Sequence, residues 1–215
     1  MNNVMNVRRA NESDSAFLAQ VILMATRAHL KKGWFDILLN GDERKCLAFI
    51  ERLTRTSARS WWHYAHFWIA EIDKIPVGAL CCFRAGDGYS LSGDAFSEAA
   101  AQAGFSAAEQ AQMWQRGSYI FECSVGGGDN LWTLENIATR PEFRRQGVTS
   151  KLIQTAITEG RSNHYKKMQV ATFIGNTPAI SAYEAMGFVP AEEKRNETFA
   201  AAVGAPGVIR LEFAL

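Results

Sequence analysis

The sequence predicts one domain of mixed α/β (α+β) class, built from short strands and amphipathic helices. A chain of 215 residues that is 47% hydrophobic is long enough to bury one core. Some segments carry apolar residues at helical spacing, and others are short apolar runs bounded by turn residues. No internal repeat and no linker interrupts this order, so we expect a single domain over residues 1–215.

The charge balance argues against nucleic-acid and membrane partners. The 23 Lys and Arg residues nearly cancel the 22 Asp and Glu residues, so no overall field attracts a polyanion. No apolar run approaches the roughly 20 residues that cross a bilayer, and residues 1–9 lack the apolar stretch of a signal peptide. We therefore expect a cytoplasmic protein that binds neither nucleic acid nor membrane.

The cysteines and histidines do not form a metal-ligand pattern. The four cysteines show no Cys-x-x-Cys spacing, and the four histidines are scattered along the chain. Cys81 and Cys82 are neighbours on a predicted strand and should face opposite sides of it. We expect no metal and buried free thiols.

The first half of the chain predicts three strands and two helices. Residues 7–9 form a short strand, and the polar capping residues 11–14 precede a helix with one apolar face. A second helix with helical apolar spacing is expected at about 44–54. Two apolar segments at 66–71 and 77–83 are separated by a short turn, which predicts an antiparallel hairpin.

Residues 84–118 predict a helical insertion. This stretch is rich in Ala, Gly and Gln, and Ser106 begins a capping-box pattern that opens a helix. Two further strands are expected at 119–125 and 131–139, joined by a turn at the glycine triplet 126–128. A phosphate loop is the other interpretation of the triplet, but neither a helix start nor a Lys-Ser/Thr pair follows it.

The last third predicts a strand that leads through a basic loop into a helix. The strand ends near Thr139, Pro141 follows, and a helix with an apolar face runs from Val148 to an expected end at Gly160. Beyond it we expect a strand at 168–173, a short helix opened by Thr177 and Pro178 and ended by Gly187, and closing strands at 188–189 and 208–213.

The loop and helix start at residues 144–150 form a candidate anion site. Successive backbone N–H groups and the positive end of the helix dipole face the same point. Gly147 allows close approach of a ligand, and the hydroxyls of Thr149 and Ser150 can add hydrogen bonds. The geometry suits a pyrophosphate, although basic residues before a helix are also typical of a solvated surface.

Residues 134–149 resemble the acetyl-CoA signature of the GNAT N-acetyltransferase superfamily, whose core is Arg/Gln-x-x-Gly-x-Gly/Ala. Arg144 and Gly147 match this core, and Thr149 replaces its final small residue. Residues 176–188 resemble the second cofactor motif of the same family, at a compatible distance and again after a strand. The resemblance is sharp over about residues 131–189, is fainter before them, and covers nearly the whole chain in outline.

The resemblance implies a mostly antiparallel central sheet flanked by helices, with the insertion between strands 3 and 4. Strands 4 and 5 would splay apart, and the pantetheine arm of coenzyme A would lie in the gap against strand 4. The expected cofactor-binding residues are Ile137, Ala138, Thr139, Arg144, Arg145, Gln146, Gly147, Val148, Thr149, Ser150, Asn176, Ala179 and Tyr183.

The resemblance also implies direct attack of an amine on the thioester, without a covalent enzyme intermediate. Tyr183 occupies the position of the family's general acid, although a packed aromatic residue would fit the same place. Glu135 is the expected base because it lies on the same side of its strand as Ile137 and Thr139. A structural carboxylate is the alternative for Glu135, and Glu122 is the reserve candidate for the base.

These features predict an N-acetyltransferase that moves an acetyl group from acetyl-CoA to a primary amine of a small molecule or peptide. Two alternatives stay open: a non-catalytic coenzyme A-binding regulatory or sensor module, and a transferase for a longer acyl group. The aromatic cluster of Trp61, Trp62 and Trp68 is either core packing or the wall of an acceptor pocket. We expect the insertion to determine acceptor specificity, and exposed edge strands would allow a homodimer.

Overall fold

A computed structural model describes residues 4–215 of the protein. The strands are β1 (Met5–Arg9), β2 (Phe67–Ile72), β3 (Ile75–Arg84), β4 (Trp132–Thr139), β5 (Lys167–Phe173), β6 (Val189–Arg195) and β7 (Gly207–Ala214). They form one sheet in the order β1-β2-β3-β4-β5-β7-β6. The α-helices are α1 (Ser15–Arg27), α2 (Trp34–Leu38), α3 (Glu43–Leu53), α4 (Ala85–Ser90), α5 (Ser92–Gln102), α6 (Ala107–Gly117), α7 (Val148–Ser162), α8 (Thr177–Ala185) and α9 (Glu197–Val203). Within residues 4–215, none of these helices is both long and apolar enough to cross a membrane.

The sheet is antiparallel except where β4 meets β5. That parallel pairing is short, because it ends where Leu134 lies opposite Val170. β4 continues to Thr139 paired with β3 alone. The mixed, mostly antiparallel sheet and its splay between strands 4 and 5 are therefore confirmed, and the second half of β4 has one edge without a strand partner.

A β-bulge in β4 lies where this free edge begins. The register between β3 and β4 shifts between Ala79 and Cys81, which lie opposite Ala138 and Glu135. Asn136 falls in the bulge with a φ of 49°, a left-handed conformation that Asn tolerates better than most residues. Because a bulge bends the strand that carries it, this bulge favours the divergence of β4 from β5.

Helix starts coincide with capping residues. The Asp42 carboxylate accepts hydrogen bonds from the backbone N–H groups of Arg44 and Lys45 at the start of α3. Ser106 and Glu109 form the predicted capping box at the start of α6. These local bonds satisfy backbone donors that the first helical turn leaves without partners.

Two hydrophobic cores cover the two faces of the sheet. The neighbouring residues Cys81 and Cys82 show the division, because Cys81 lies in the core beneath α1, α3 and the insertion, whereas Cys82 lies in the core beneath α7 and α8. All four cysteines are buried free thiols, as expected. A third, small core joins α9 to β5 and β7.

The segment that follows β3 is helical, as predicted, and it takes part in the first core. α4, α5 and α6 succeed one another between β3 and β4. α5 packs against α3 and buries Phe96 and Ala99 completely. The insertion is therefore an integral layer over one face of the sheet.

The predicted strand at 119–125 is wrong. Ser118–Cys123 forms a 3-10 helix, so the glycine triplet that follows is not the turn of a hairpin. The first half of β4 is already paired on both edges, with β3 and β5, and it offers no edge to another strand. Tyr119 and Cys123 instead pack into the small core with Phe199 of α9.

Boundaries in the last third also differ from the prediction. α7 continues past Gly160 to Ser162. A Cβ atom at Gly160 would lie 2.8 Å from side-chain atoms of Trp132 and Leu215, so the glycine serves close packing rather than ending the helix. β6 extends to Arg195 and is followed by α9, a helix that the sequence analysis did not predict.

Candidate active site

A cavity of about 900 Å³ lies where β4 diverges from β5. Trp34 and Trp62 line it from the face of the sheet that the insertion covers. Ala179 and Tyr183 of α8 line it from the opposite face. The cavity therefore passes through the sheet at the gap between the two strands.

The free edge of β4 forms one wall of the cavity. Ile137, Ala138 and Thr139, three of the predicted cofactor residues, all line it. Their strand is paired with β3 but not with β5 at this level, so the peptide groups that face β5 have no strand partner. A free strand edge can bind an extended ligand that carries amide groups, through main-chain hydrogen bonds.

The start of α7 lies at the end of this wall and has unpaired backbone donors. Gly147 precedes the helix with a φ of 79° and provides no side-chain cap. Lys151 donates from its backbone N–H to the Gly147 carbonyl, which leaves the N–H groups of Val148, Thr149 and Ser150 without helical acceptors. A Cβ at Gly147 would meet no atom within 4 Å. The open space and the positive helix end together suit a phosphate group.

The loop before α7 adds cationic and amide groups. Arg144 lines the cavity and donates from Nε to the Thr139 carbonyl at 3.3 Å. Arg145 is exposed with a φ of 61°, and Gln146 donates from Nε2 to the Glu142 carbonyl at 3.3 Å. Neither arginine forms a salt bridge with any of residues 4–215. Both charges are therefore available to an anionic ligand.

Thr149, which departs from the small residue of the family motif, bonds within the protein. Its hydroxyl lies 3.2 Å from the hydroxyl of Thr139, and this hydrogen bond ties the start of α7 to the end of β4. The additional side-chain atoms are thus used to position the two elements that border the cavity.

The second predicted motif begins at the N-terminus of α8. Asn176 is buried, lines the cavity and donates from Nδ2 to the Thr172 hydroxyl at 2.8 Å. Its side chain makes no capping bond to α8. Ala179 lines the cavity one turn further along. The small side chain of Ala179 leaves room for a ligand between α8 and β4.

Tyr183 faces the same cavity from α8 and is only 6% exposed. Burial, and then the nearby charge of Glu135, raise the pKa of the Tyr183 hydroxyl above its ordinary value. The hydroxyl therefore holds its proton at neutral pH. Its ring also packs 6.1 Å from the ring of Phe188, so the side chain fits both the general-acid and the packed-aromatic interpretation.

Glu135 lines the cavity at the bulge of β4. Its Oε1 accepts a 2.6 Å hydrogen bond from the hydroxyl of Tyr89, which α4 supplies. Burial raises the pKa of Glu135 to about 7, against the opposing effect of hydrogen bonds from Tyr89 and from the backbone N–H of Asn136. A carboxylate with this pKa can accept a proton near neutral pH.

The reserve candidate Glu122 lies elsewhere. It is exposed on the 3-10 helix before β4 and accepts a 3.4 Å hydrogen bond from Asn196 Nδ2. It does not line the cavity. Its placement on a strand beside Glu135 depended on the strand that the structure does not form.

His29, Tyr89, Asp129 and Asn136 are among the cavity residues that the sequence analysis missed. Asn136 is 5% exposed, and its Nδ2 has no hydrogen-bond partner among residues 4–215. Tyr89 meets Glu135 across 46 residues of sequence, so no spacing pattern could have indicated the contact. His29 and Asp129 likewise stand in no motif.

The structural elements around the cavity suit the successive parts of coenzyme A. The free edge of β4 suits the amide-bearing pantetheine arm, and the bare helix start with Gly147 suits the pyrophosphate. Arg144 and Arg145 bring positive charge to the same end. The elements occur in the order that one extended cofactor requires.

The chain is similar to known acetyltransferases both in sequence and in fold. Over 71 residues, the chain is 32% identical to the thialysine N-epsilon-acetyltransferase of Bos taurus, a match that covers 33% of this chain and 41% of that protein. The chain thus spans about two fifths of the length of that curated relative. The fold is similar to that of a solved acetyltransferase, with a TM-score of 0.72, 16% identity and coverage of 97% and 98% of the two chains. It is also similar to an N-acetyltransferase from Staphylococcus aureus Mu50, with a TM-score of 0.70, 17% identity and coverage of 97% and 100%.

The family comparison identifies the class of the protein. The family model described as the acetyltransferase (GNAT) family matches residues 38–188, which include β2 to β5 and the whole cavity wall formed by β4, α7 and α8. GNAT acetyltransferases use acetyl-CoA as the acyl donor. The chain therefore belongs to the acetyltransferase (GNAT) family.

Proposed function

We propose that the protein transfers the acetyl group of acetyl-CoA to a primary amine of a small molecule or peptide by direct attack. The observation that carries this proposal is the placement of Glu135 and Tyr183 in one cavity, at the gap between β4 and β5. The two side chains differ in protonation near neutral pH, because burial brings the pKa of Glu135 to about 7 and keeps Tyr183 protonated. One group can accept a proton while the other donates one.

The cofactor end of the site is formed by β4 and α7. Backbone groups of Ile137 and Thr139 pair with the pantetheine arm, and the N–H groups of residues 147–150 bind the pyrophosphate. Arg144 and Arg145 add charge-assisted hydrogen bonds to the phosphates. Asn176 and Ala179 border the arm from α8. Bound acetyl-CoA supplies an activated thioester, so no covalent bond to the protein is needed.

Glu135 acts as the general base. An amine attacks only in its neutral form, and most primary amines are protonated in water at neutral pH. The carboxylate removes a proton from the amine nitrogen directly or through one water, which is the distance at which general bases work. The Tyr89 hydrogen bond orients the carboxylate, and a carboxylate has enough lone pairs to accept a further hydrogen bond from the amine.

Tyr183 acts as the general acid, and the β4 backbone stabilises the developing charge. The phenol donates its proton to the sulfur that leaves the acetyl group. Backbone N–H groups on the free edge of β4 donate to the thioester oxygen, and one such donor typically contributes about 3 kcal/mol to acyl transfer. A protonated amine loses one proton to Glu135 before attack and a second, after attack, to the Tyr183 oxygen, which passes its own proton to the sulfur.

The relative from Bos taurus supports nitrogen as the acceptor atom. Its name describes acetylation of an N-epsilon amine. Because the match covers 41% of that protein, it supports the class of acceptor group, a primary amine, without identifying the molecule that carries it.

The decisive experiment measures acetyl-CoA binding by calorimetry and thiol release with a panel of primary amines. We expect Glu135→Gln and Tyr183→Phe to bind acetyl-CoA normally and to lower kcat by about 100-fold, the range of general acid–base catalysis. Glu142→Gln and Tyr165→Phe are matched controls, because both residues lie outside the cavity, and they should leave kcat unchanged. Normal turnover in Glu135→Gln and Tyr183→Phe would contradict the assigned roles, and no thiol release with any amine would contradict the proposed function.

A further inference from the structure

The cavity continues beyond Glu135 into a region walled by aromatic rings. Tyr89, the hydrogen-bond partner of Glu135, lies edge-on to Trp61 with ring centroids 5.6 Å apart. Trp61 lies 4.5 Å from Trp62. Trp62 stacks on Trp34 at 6.1 Å with an interplanar angle of 10°. The rings thus lead away from the carboxylate in a continuous series.

The series continues to the surface of the protein. Trp34 lies 6.4 Å from Trp114, and Trp114 stacks with Phe121 at 6.5 Å. Phe121 is 59% exposed, so it stands at the mouth. All of these rings line the one cavity, and together we call them the aromatic wall: Tyr89, Trp61, Trp62, Trp34, Trp114 and Phe121.

Two indole rings of the aromatic wall are held in fixed orientations. Trp61 donates from Nε1 to the Ser92 hydroxyl at 3.0 Å. Trp34 donates from Nε1 to the Gly117 carbonyl at 3.0 Å. Both rings are only half-buried although they border the first core. Because each N–H is used within the protein, the rings offer apolar faces to the cavity instead of polar edges.

The charge near the aromatic wall is negative. Glu135 and Asp129 both line the cavity, and neither forms a salt bridge within the described chain, residues 4–215. Arg144 lies at the cofactor end, where it bonds to Thr139, and His29 lies beside Gly175 at the start of α8. A protonated amine is therefore attracted to the carboxylate end of the aromatic wall.

We propose that the acceptor is a small aromatic primary amine, with its ring against the aromatic wall and its amino group beside Glu135. This inference rests on the proposed function and names its substrate class. Helices α2, α4 and α6 supply walls on several sides, which favours a compact molecule over an extended peptide. An amino sugar would place hydroxyl groups against the faces of Trp34 and Trp61, whose N–H groups are already used within the protein, and this is unfavourable.

In the transfer, the amine nitrogen bonds to the acetyl carbon while the carbon–sulfur bond breaks. The protonated amine gives one proton to Glu135 before it attacks. After the attack the nitrogen gives a second proton to the Tyr183 oxygen, which passes its own proton to the sulfur. The products are an N-acetylated aromatic amine and the free thiol of coenzyme A, so no oxidant or reductant is needed. Acetylation removes the positive charge that the carboxylates attract, which weakens product binding.

The test compares four probes: 2-phenylethylamine, butylamine, spermidine and a lysine-containing tetrapeptide. Thiol release gives kcat/KM for each, and quenching of tryptophan fluorescence in the presence of coenzyme A gives binding without turnover. We expect 2-phenylethylamine to exceed butylamine by at least about tenfold in kcat/KM, the factor that one aromatic contact of about 1.4 kcal/mol provides. A higher kcat/KM for spermidine or for the peptide would overturn the inference.

Variants of the aromatic wall make the test specific. Trp61→Leu should raise KM for 2-phenylethylamine about tenfold while leaving KM for butylamine and for acetyl-CoA unchanged, and Trp61→Phe should restore much of the loss. Phe121→Ala should have a smaller effect of the same kind without risk to the fold, because the side chain is exposed. Ile75→Ala, which truncates another exposed apolar side chain outside the cavity, is its control.

The outcomes separate this inference from the proposed function. If amines are acetylated but the aromatic-wall variants lower kcat/KM for all four probes equally, the inference is wrong and the proposed function stands. If no amine releases thiol, the proposed function is wrong, and the fluorescence measurement then tests whether the aromatic wall binds an aromatic amine. Binding of 2-phenylethylamine that Trp61→Leu abolishes would support an aromatic amine site, and its absence at millimolar concentration would overturn it.

Discussion

Tyr89→Phe removes one hydrogen bond from Glu135 without removing a ring from the cavity. The 2.6 Å bond from the Tyr89 hydroxyl stabilises the ionised carboxylate and so lowers its pKa. A hydrogen bond to a charged group is worth about 1.5 to 3 kcal/mol. Because Tyr89 is 41% exposed, we take about 1.4 kcal/mol, which corresponds to about one pKa unit. The pKa of Glu135 should therefore rise from about 7 to about 8.

The assay is kcat/KM for the amine across the pH range, which reports the ionisations of the free enzyme. With a base of pKa about 8, the ionised fraction at pH 7 falls from about one half to about one tenth, so activity at pH 7 should drop about fivefold. The loss should disappear as the pH rises above about 9. Tyr64→Phe, outside the cavity, is the control. An acid limb that stays in place, or a loss that is constant at every pH, would refute the role of Tyr89 in tuning Glu135.

Two further predictions concern the cofactor end and the stability of the first core. Arg145→Glu should weaken acetyl-CoA binding at least about tenfold in calorimetry, because it reverses an unpaired charge at the phosphate site. The control Arg161→Glu, at the far end of α7, should not weaken binding. If both variants bind acetyl-CoA with the same affinity, Arg145 does not belong to the site. Asp36→Asn should lower the free energy of unfolding by about 3 kcal/mol in urea titrations, because it breaks the paired hydrogen bonds of the buried carboxylate with Arg27. Burial raises the pKa of Asp36, but the hydrogen bonds from Arg27 and from the Gly33 N–H outweigh it and lower the pKa. The stabilising effect of Asp36 should therefore be present above about pH 4 and disappear as the pH falls below that value. An Asp36→Asn variant that is as stable as the exposed-site control Asp73→Asn would contradict this prediction.

The parts of the fold that were predicted correctly depend on neighbouring residues. The strand-to-helix turn at Gly147 has its own signals within a few positions, and in the structure this glycine, with a φ of 79°, directly precedes α7. The capping box at Ser106 and the start of α8 at Thr177 are equally local. Contacts of this range follow from backbone conformation alone, without knowledge of the rest of the chain.

The parts that were not predicted depend on distant residues. Residues 119–125 have the composition of a strand, but β3 and β5 already occupy both edges of the start of β4. Tyr89 meets Glu135 only because α4 folds back over the sheet. Only the structure shows that Asn136 lies in the bulge of β4 and that its Nδ2 has no hydrogen-bond partner among residues 4–215. Each of these depends on which elements the fold brings together.

The insertion links acceptor binding to the proposed base. It supplies Tyr89, which bonds to Glu135, and Trp114, which belongs to the aromatic wall. The insertion is also part of the core, since α5 buries Phe96 against α3. Deletion of the insertion would therefore unfold this face of the sheet, and its effect on acceptor specificity could not be separated from its effect on stability. A displacement of α4 would move Tyr89 away from Glu135 and open the aromatic wall beside Trp61. Acceptor selection and base pKa should therefore change together when this helix is perturbed, and independently when only the cofactor loop is altered.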